Sequence, residues 1–510
     1  MAQPFKYFPI YFGPDLDPSW NVNPGVLIDL VDAIPTRRST YKSYACSSSQ
    51  VVSSLGTFSE STYGQPLAGA IVKSNITSGF AVAAESVIGT TKRLLSIQSS
   101  GGGTFYDASK GATDYTTATD WSFTTYGNDV IACSKTNPPQ VATLADGGMV
   151  FADLGGAPPK ARCCTTQKNF VLLGDTDDGV NNLGDRVWWS ALANDTSWTA
   201  SAATQAGNLR VLETPGPITA LVNMRDSVAL YKEDSVYILD YQGSPLLWTA
   251  RLISDKIGCA SPHGVAVVNG IHYFIHRTGV YRFDGASVQP IGTPVTSFLA
   301  SKVAAQKIYA FVQAAHEESE NNIYWFFGTS TNTDNVRNRA LVWNYMTGQF
   351  GYVVNTWASS GTDGMRCVVP TTLGTLGWSW DSTLSAAATN LLTLGTSDTS
   401  GGTCSLRLPA YGANASATAT VTTGDIGDDV NKSVISRVKP RYLSGTPTAM
   451  TVYSKASEGD AFDAGDTFTA DATGKRFDGM KSQRWHKLVV SQTAAEIAGL
   501  TIFMDQGGTE

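Results

Sequence analysis

"GVAVVNGIHYFIHRTGVYRFDGASVQ", residues 264–289, is the stretch that decides the fold. It divides into four short strands separated by three turns. Val265 to Val268 is apolar and β-branched, and Asn269-Gly270 is the strongest two-residue hairpin signal. Ile271 to Ile275 runs back, and Arg277-Thr278-Gly279 turns the chain again. Val280 to Phe283 makes a third strand, and Asp284-Gly285 leads into Ser287-Val288. The product is one four-stranded meander with almost no residue left over.

The same unit recurs. "ITALVNMRDSVALYKEDSVYILDYQGSPLLWTARL" (218–252) turns at Arg225-Asp226 and Glu233-Asp234, and "WSFTTYGNDVIACSKTNPPQVATLADGGMVFADL" (121–154) turns at Gly127-Asn128. "CCTTQKNFVLLG…DRVWWSA" and "NNIYWFFGTS…ALVWNYMTGQFGYV" give two more, each with an insertion after its second strand. A weaker copy surrounds "RLLSIQSSGGGTFYDAS" (93–109). Val130, Phe170, Val228, Ile271 and Ile323 open the second strands. Their irregular spacing, roughly 40 to 60 residues with four strands per unit, is the mark of a β-propeller with loop insertions. A meander that is apolar on both faces hides both only by stacking, and closing the stack into a ring leaves no end blade exposed. Five clear copies and one weak copy predict an all-β chain with six blades, seven being the next count. A pair of ordinary β-sandwiches is the competing architecture.

Composition agrees with this class. Charged residues are 15% of the 510, below the roughly 25% of an average soluble domain, and glycine supplies 49 positions. The formal net charge of −7 disfavours a surface built to grip a duplex, because such surfaces neutralise phosphates with Lys and Arg. Seven cysteines, odd in number and without CxxC pairs, indicate neither zinc nor a disulfide framework. Cys163 and Cys164, adjacent in a strand, are expected to point to opposite faces. The opening "MAQPFKYFPIYFGPD" shows no charged-then-apolar signal pattern, and no apolar run reaches the ~20 residues of a membrane helix.

Residues 1–60 form an irregular, proline-interrupted arm expected to complete part of a blade. Residues 61–385 are assigned to the propeller, 386–414 to a linker or insertion, and 415–510 to a small C-terminal β domain.

Sites of chemistry are sparse. His272 and His276 are four apart, but in a strand that spacing spans roughly 13 Å, too far for one metal ion. "HEESE" (316–320) ends in Glu where a zinc helix needs His. "DTDDG" (175–179) places its glycine early for a calcium loop, and Arg186 stands where the closing glutamate belongs. Asp425, Asp428 and Asp429 in "GDIGDD" are expected to face a basic neighbour. No nucleophile elbow, Walker loop or dinucleotide fingerprint occurs. The expectation is therefore no catalytic residue, no cofactor and no metal. The one positive concentration is Arg437, Lys439 and Arg441 on one face of a strand, with Arg484 in "GKRFDGMKSQRWHK" (474–487). It suggests contact with DNA phosphates or another subunit, or a solvated face balanced by nearby aspartates. Trp325, Trp343 and Trp357 could stack on sugars, so a carbohydrate-binding or carbohydrate-cleaving propeller is the alternative function.

Taken in order, several stretches resemble the tail nozzle proteins of short-tailed bacteriophages, also described as tail tubular or packaged-DNA stabilisation proteins. They are "DLDPSW", "AIPTRRSTYKSY", "DRVWWSALANDTSWTASAATQ", "ETPGPITALVNMRDSVALYKEDSVYILDYQG", "KIGCASPHGVAVVNGIHYFIHRTGVYRFDG", "NNIYWFFG", "ALVWNYMTGQFG", "TTGDIGDDVNKSVISRVKPRYL" and "GKRFDGMKSQRWHKLVV". The resemblance implies a structural, non-enzymatic propeller protein of the virion tail, assembled in the host bacterial cytoplasm as a homohexamer. It would sit below a tail adaptor ring, seat tail fibres on its flanks, and touch double-stranded DNA transiently during ejection. Its lumen is expected to be acidic or neutral, so that the duplex slides. The insertions between Leu173 and Asp185 and in "TSTNTDNVRNR" (329–339) are the candidate gating loops.

Overall fold

The computed structural model describes residues 6–12, 26–45, 57–73, 84–97, 105–144, 148–292, 295–302, 311–328, 336–354, 364–370, 391–396, 403–407, 410–411, 418–471 and 473–506. Its repeating unit is the predicted meander. In the unit that decided the fold, Val265–Val268, Ile271–His276, Gly279–Phe283 and Val288–Ile291 pair antiparallel in sequence order. Asn269 (φ 52°) and Gly270 (φ 78°) both take the left-handed region, as a hairpin turn matched to strand twist demands. This is blade 5.

Blade 1 comprises Pro66–Lys73, Ala84–Thr90, Leu94–Ile97 and Phe105–Asp107. Blade 2 follows with Ser122–Tyr126, Asp129–Ser134, Asn137–Thr143 and Ala152–Asp153. Blade 3 is Lys160–Gln167, Phe170–Asp177, Asn182–Trp189 and Gly207–Arg210, and blade 4 is Ile218–Met224, Ser227–Lys232, Val236–Gly243 and Leu247–Ser254. Blade 6 is Gln313–Glu317, Asn322–Phe327, Arg339–Asn344 and Phe350–Val353. The sequence had favoured six units, and the described residues give a seventh. Gly364–Pro370, Leu391–Thr396 and Thr403–Arg407 make three strands, and Thr57–Ser59 from the start of the chain adds the fourth. Two of those strands, Leu391–Thr396 and Thr403–Arg407, fall in the 386–414 stretch expected to be a linker or insertion, so blade 7 extends past residue 385. The first strand of blade 7 packs beside the first strand of blade 1, so the ring closes.

Packing explains the ring. Second strands are buried on both faces, and Phe170, Val171, Leu172 and Leu173 are all fully buried. Apolar clusters sit between successive blades. Trp121 fills the space between blades 1 and 2, donating its Nε1 to Thr90 O at 2.8 Å. Gly89 leaves room for it, since a Cβ there would lie 2.4 Å from the indole. Cys163 faces blade 4 and Cys164 faces blade 2, the opposite-face arrangement expected of neighbours in a strand.

The strands after residue 415 share a sheet with blade 6. The outer strand of blade 6 pairs with Ala33–Pro35 (Tyr352 opposite Ala33), which pairs with Tyr41–Ala45. That strand meets Trp485–Gln506 at Ile497 opposite Tyr41. Trp485–Gln506 in turn pairs along its length with Ser433–Lys455, through several register shifts. Tyr41 donates to Phe350 O at 2.8 Å, Lys42 pairs with Glu320 at 2.6 Å, and one apolar cluster runs from blade 5 through blade 6 into this sheet. Among the described residues no helix is long and apolar enough to cross a membrane.

Candidate functional site

The first strands of the blades line the propeller axis, and charged groups gather where they begin. Asp120 lies just ahead of the first strand of blade 2, and His263 just ahead of that of blade 5. Asp120 Oδ1 and His263 Nε2 are 2.8 Å apart. Blades 2 and 5 are not neighbours, so this contact spans the axis. Burial alone would push the Asp120 carboxyl up, but the His263 imidazole, the Trp121 backbone N–H and the Arg162 charge outweigh it. The net effect holds the carboxyl below its ordinary value. His263 O accepts from Ala314 N at 2.7 Å, joining the same point to blade 6. Arg337, buried, donates from Nε to Phe311 O at 2.7 Å and from Nη1 to Arg366 O. Arg366, on the first strand of blade 7, lies 4.0 Å from the Glu60 carboxylate. These groups tie blades 2, 5, 6 and 7 together through side-chain hydrogen bonds and carbonyl contacts, with one long ion pair between Arg366 and Glu60. They come from widely separated positions, which is why sequence reading missed them. For Asp120 and His263 the available signal was a charged or imidazole residue placed immediately ahead of a first strand.

The basic residues singled out from the sequence lie elsewhere, on the C-terminal sheet. Arg437, Lys439 and Arg441 share the strand Ser433–Lys455 and lie outside its core, while Val438 between them is fully buried. Arg437 Nε donates to Asp478 Oδ1 at 2.6 Å, and its guanidinium rests 5.7 Å from the Phe503 ring centre. That hydrogen bond is the main cause holding the Asp478 carboxyl below its ordinary value. Arg441 Nε donates to Thr501 Oγ1 at 3.0 Å, and Lys439 is exposed. Arg484 does not join them. It follows Gln483, which pairs with Ser433 at the start of that strand, and its Nε is buried with no hydrogen-bond partner among the described residues.

The other candidates have structural partners. His272 links blades 5 and 4 through Tyr231 Oη (2.8 Å) and Asn223 O (3.0 Å), and burial pushes its pKa down to about 4. His276 reaches Asp234 Oδ1 at 3.0 Å. In the loop that superficially resembles a calcium site, the cation is Arg186. It donates to Asp178 Oδ2 at 2.8 Å and Thr176 Oγ1 at 2.6 Å. The expected loop between Leu173 and Asp185 is an extension of two paired strands, with Asp177 opposite Asn182. Residues 329–335 of the second candidate gate lie outside the described residues. In "GDIGDD", Asp425 pairs with Lys455 at 2.8 Å and Asp429 accepts the Trp485 indole N–H at 2.6 Å. Trp325 is fully buried and Trp343 nearly so, and neither offers a ring face to a sugar; Trp357 lies outside the described residues. Among the described residues no group of His, Cys, Asp and Glu side chains is arranged to hold a metal ion.

No protein-family model matches the sequence, and no curated protein matches it. Among solved structures the chain is similar to "YCF48 bound to D1 peptide" at 10% identity and a TM-score of 0.37, over 69% of this chain and 94% of that one. It is also similar to the computationally designed Ika8 protein at 11% identity and a TM-score of 0.33, over 68% and 99% of the two chains. Likenesses this distant say nothing about what the chain does.

Proposed function

We propose that the chain is a structural subunit of a short bacteriophage tail, six copies of which form the nozzle ring that continues the DNA channel and helps retain the genome until ejection. The observation that carries this reading is the ordered set of nozzle-like stretches. They fall largely on the frame of the molecule: blades 4 to 6, the hairpin at residues 33–45, and the C-terminal sheet. The partly buried axial contacts support a rigid part rather than a moving or reacting one, since each is matched by a partner inside the chain. With Asp120 and His263 bridging the axis, the duplex would pass between copies and not through a propeller. In this reading an adaptor ring lies above, fibres seat on the flanks, and DNA contact is transient. The Arg437–Asp478 pairing fits a wall that does not hold phosphates, because the guanidinium is already engaged.

The test is negative-stain microscopy of the purified chain mixed with its adaptor protein, alongside light scattering. A hollow six-fold ring is expected. A chain that stays monomeric with the adaptor, or a closed particle without a lumen, overturns the proposal.

A further inference from the structure

Sheet edges are the hazard a propeller manages blade by blade, since an uncovered outer strand presents a row of free backbone donors and acceptors. Among the described residues, six of the seven edges are short or covered. The outer strands of blades 1, 2 and 7 are Phe105–Asp107, Ala152–Asp153 and Thr57–Ser59, no more than three residues each. Gly207–Arg210 and Val288–Ile291 have four residues, the second interrupted by Pro290. The edge of blade 6 is occupied by Ala33–Pro35 from elsewhere in the chain. Blade 4 is the exception. Leu247–Ser254 runs for eight residues, contains no proline, and pairs on one side only among the described residues. Leu246 (68% exposed) and Leu252 (37%) place two of the molecule's exposed large apolar side chains at this edge. Its one charge, Arg251, is 58% exposed at the side chain and only loosely matched by Asp240, 3.8 Å away.

We propose that the outer edge of blade 4 is a docking site for an extended peptide segment of a partner protein, which adds as a fifth strand. The segment alternates apolar and polar residues and carries a carboxylate opposite Arg251. Backbone hydrogen bonds supply the affinity, Leu246 and Leu252 supply an apolar contact, and Arg251 selects the charge. The chain already uses this arrangement at blade 6, where the outer strand accepts Ala33–Pro35. A second copy of the same strand is a poorer occupant, because antiparallel self-pairing brings two copies of Arg251 close together.

The probe is a fluorescent, end-capped octapeptide alternating valine and threonine, with one glutamate at a threonine position, titrated into the full chain by anisotropy. Two further probes are N-methylated on alternate residues, one on the odd set and one on the even. Saturable binding is expected, with slowed amide exchange confined to residues 247–254. One methylated probe should bind and the other should not, because only one set of N–H groups faces the edge. Arg251→Glu should weaken the glutamate peptide roughly two- to fivefold and favour its lysine counterpart by a similar factor. No binding, protection elsewhere, or equal binding of both methylated probes overturns the proposal.

Discussion

Asp120 and His263 meet across the propeller axis, carboxylate Oδ1 2.8 Å from imidazole Nε2, although 143 residues separate them in sequence. Neighbouring blades are held by apolar faces, whereas this contact ties together two blades that share none. It therefore resists a distortion that face packing alone does not, the flattening of the ring. Asp120→Ala leaves the imidazole facing a vacated, largely buried position and is expected to cost about 3 kcal/mol, typical of breaking one partner of a buried pair. His263→Ala should cost a similar amount, since the two side chains are exposed to nearly the same extent, 22% and 20%. A double-mutant cycle by urea unfolding should give a coupling of about 1–3 kcal/mol. Additive losses would show that the two groups act separately.

Acid should weaken the fold before any carboxylate titrates normally. Burial pushes both His272 and His486 down to about 4 from an ordinary value of 6.5. Each is neutral in the native state and ready to take a proton once unfolded. Their contribution is fully present above pH 6.5 and is lost as pH falls from 6.5 towards 4, on the order of 3 kcal/mol apiece. Glu317 works in the opposite sense: burial raises its carboxyl, so its contribution is present at low pH and lost as pH rises through its folded value. Urea midpoints measured from pH 7.5 to 4.5 should fall steadily. His272→Gln should start lower and show a shallower slope; an unchanged slope would falsify the assignment.

Gly156 takes a left-handed backbone (φ 78°), and a Cβ built there would lie 1.8 Å from Thr196 O. The obstacle is backbone, which cannot swing aside as a flexible side chain could. Gly156→Ala is expected to cost about 3 kcal/mol through combined strain and clash. Differential scanning calorimetry should record a Tm several degrees lower. A Tm within one degree of the parent protein would mean that the 154–198 connection relaxes freely.

How far the sequence carried the reading depends on what each element needs. Blades 2 to 6 were legible because their turns are local. Asn269-Gly270 dictates its own hairpin, and the second strands are continuous apolar runs such as "NIYWFF". Blade 7 was not legible, since Thr403–Arg407 finds its neighbour Thr57–Ser59 at the other end of the propeller sequence. The basic strand was legible as an alternation, with Val438 inward and Lys439 outward. What it could not disclose was Asp478, which engages Arg437 from a different strand. The axial cluster is the extreme case. Asp120, Arg162, His263, Arg337 and Arg366 share no motif, and only ring closure brings them near one another.

Phe58 is where that closure is most exposed to attack. It sits opposite Cys404 in the last strand pair of blade 7, 5% exposed. Its ring lies 5.0 Å, centre to centre, from Phe105 on the outer strand of blade 1. One side chain therefore serves both the strand that completes the last blade and the contact with the first. Phe58→Ala removes a buried aromatic and should cost about 3–5 kcal/mol. Phe58→Asp adds an unpaired charge to the same cavity and should cost more. The loss should also be uneven. With its fourth strand released, blade 7 becomes an open three-stranded edge, while blades 2 to 5 keep their own interfaces. Hydrogen exchange followed by mass spectrometry should show residues 364–370, 391–396 and 403–407 losing protection well before 218–283. Uniform acceleration across all blades would mean that the ring unfolds as one unit and that the Thr57–Ser59 strand is no special seam.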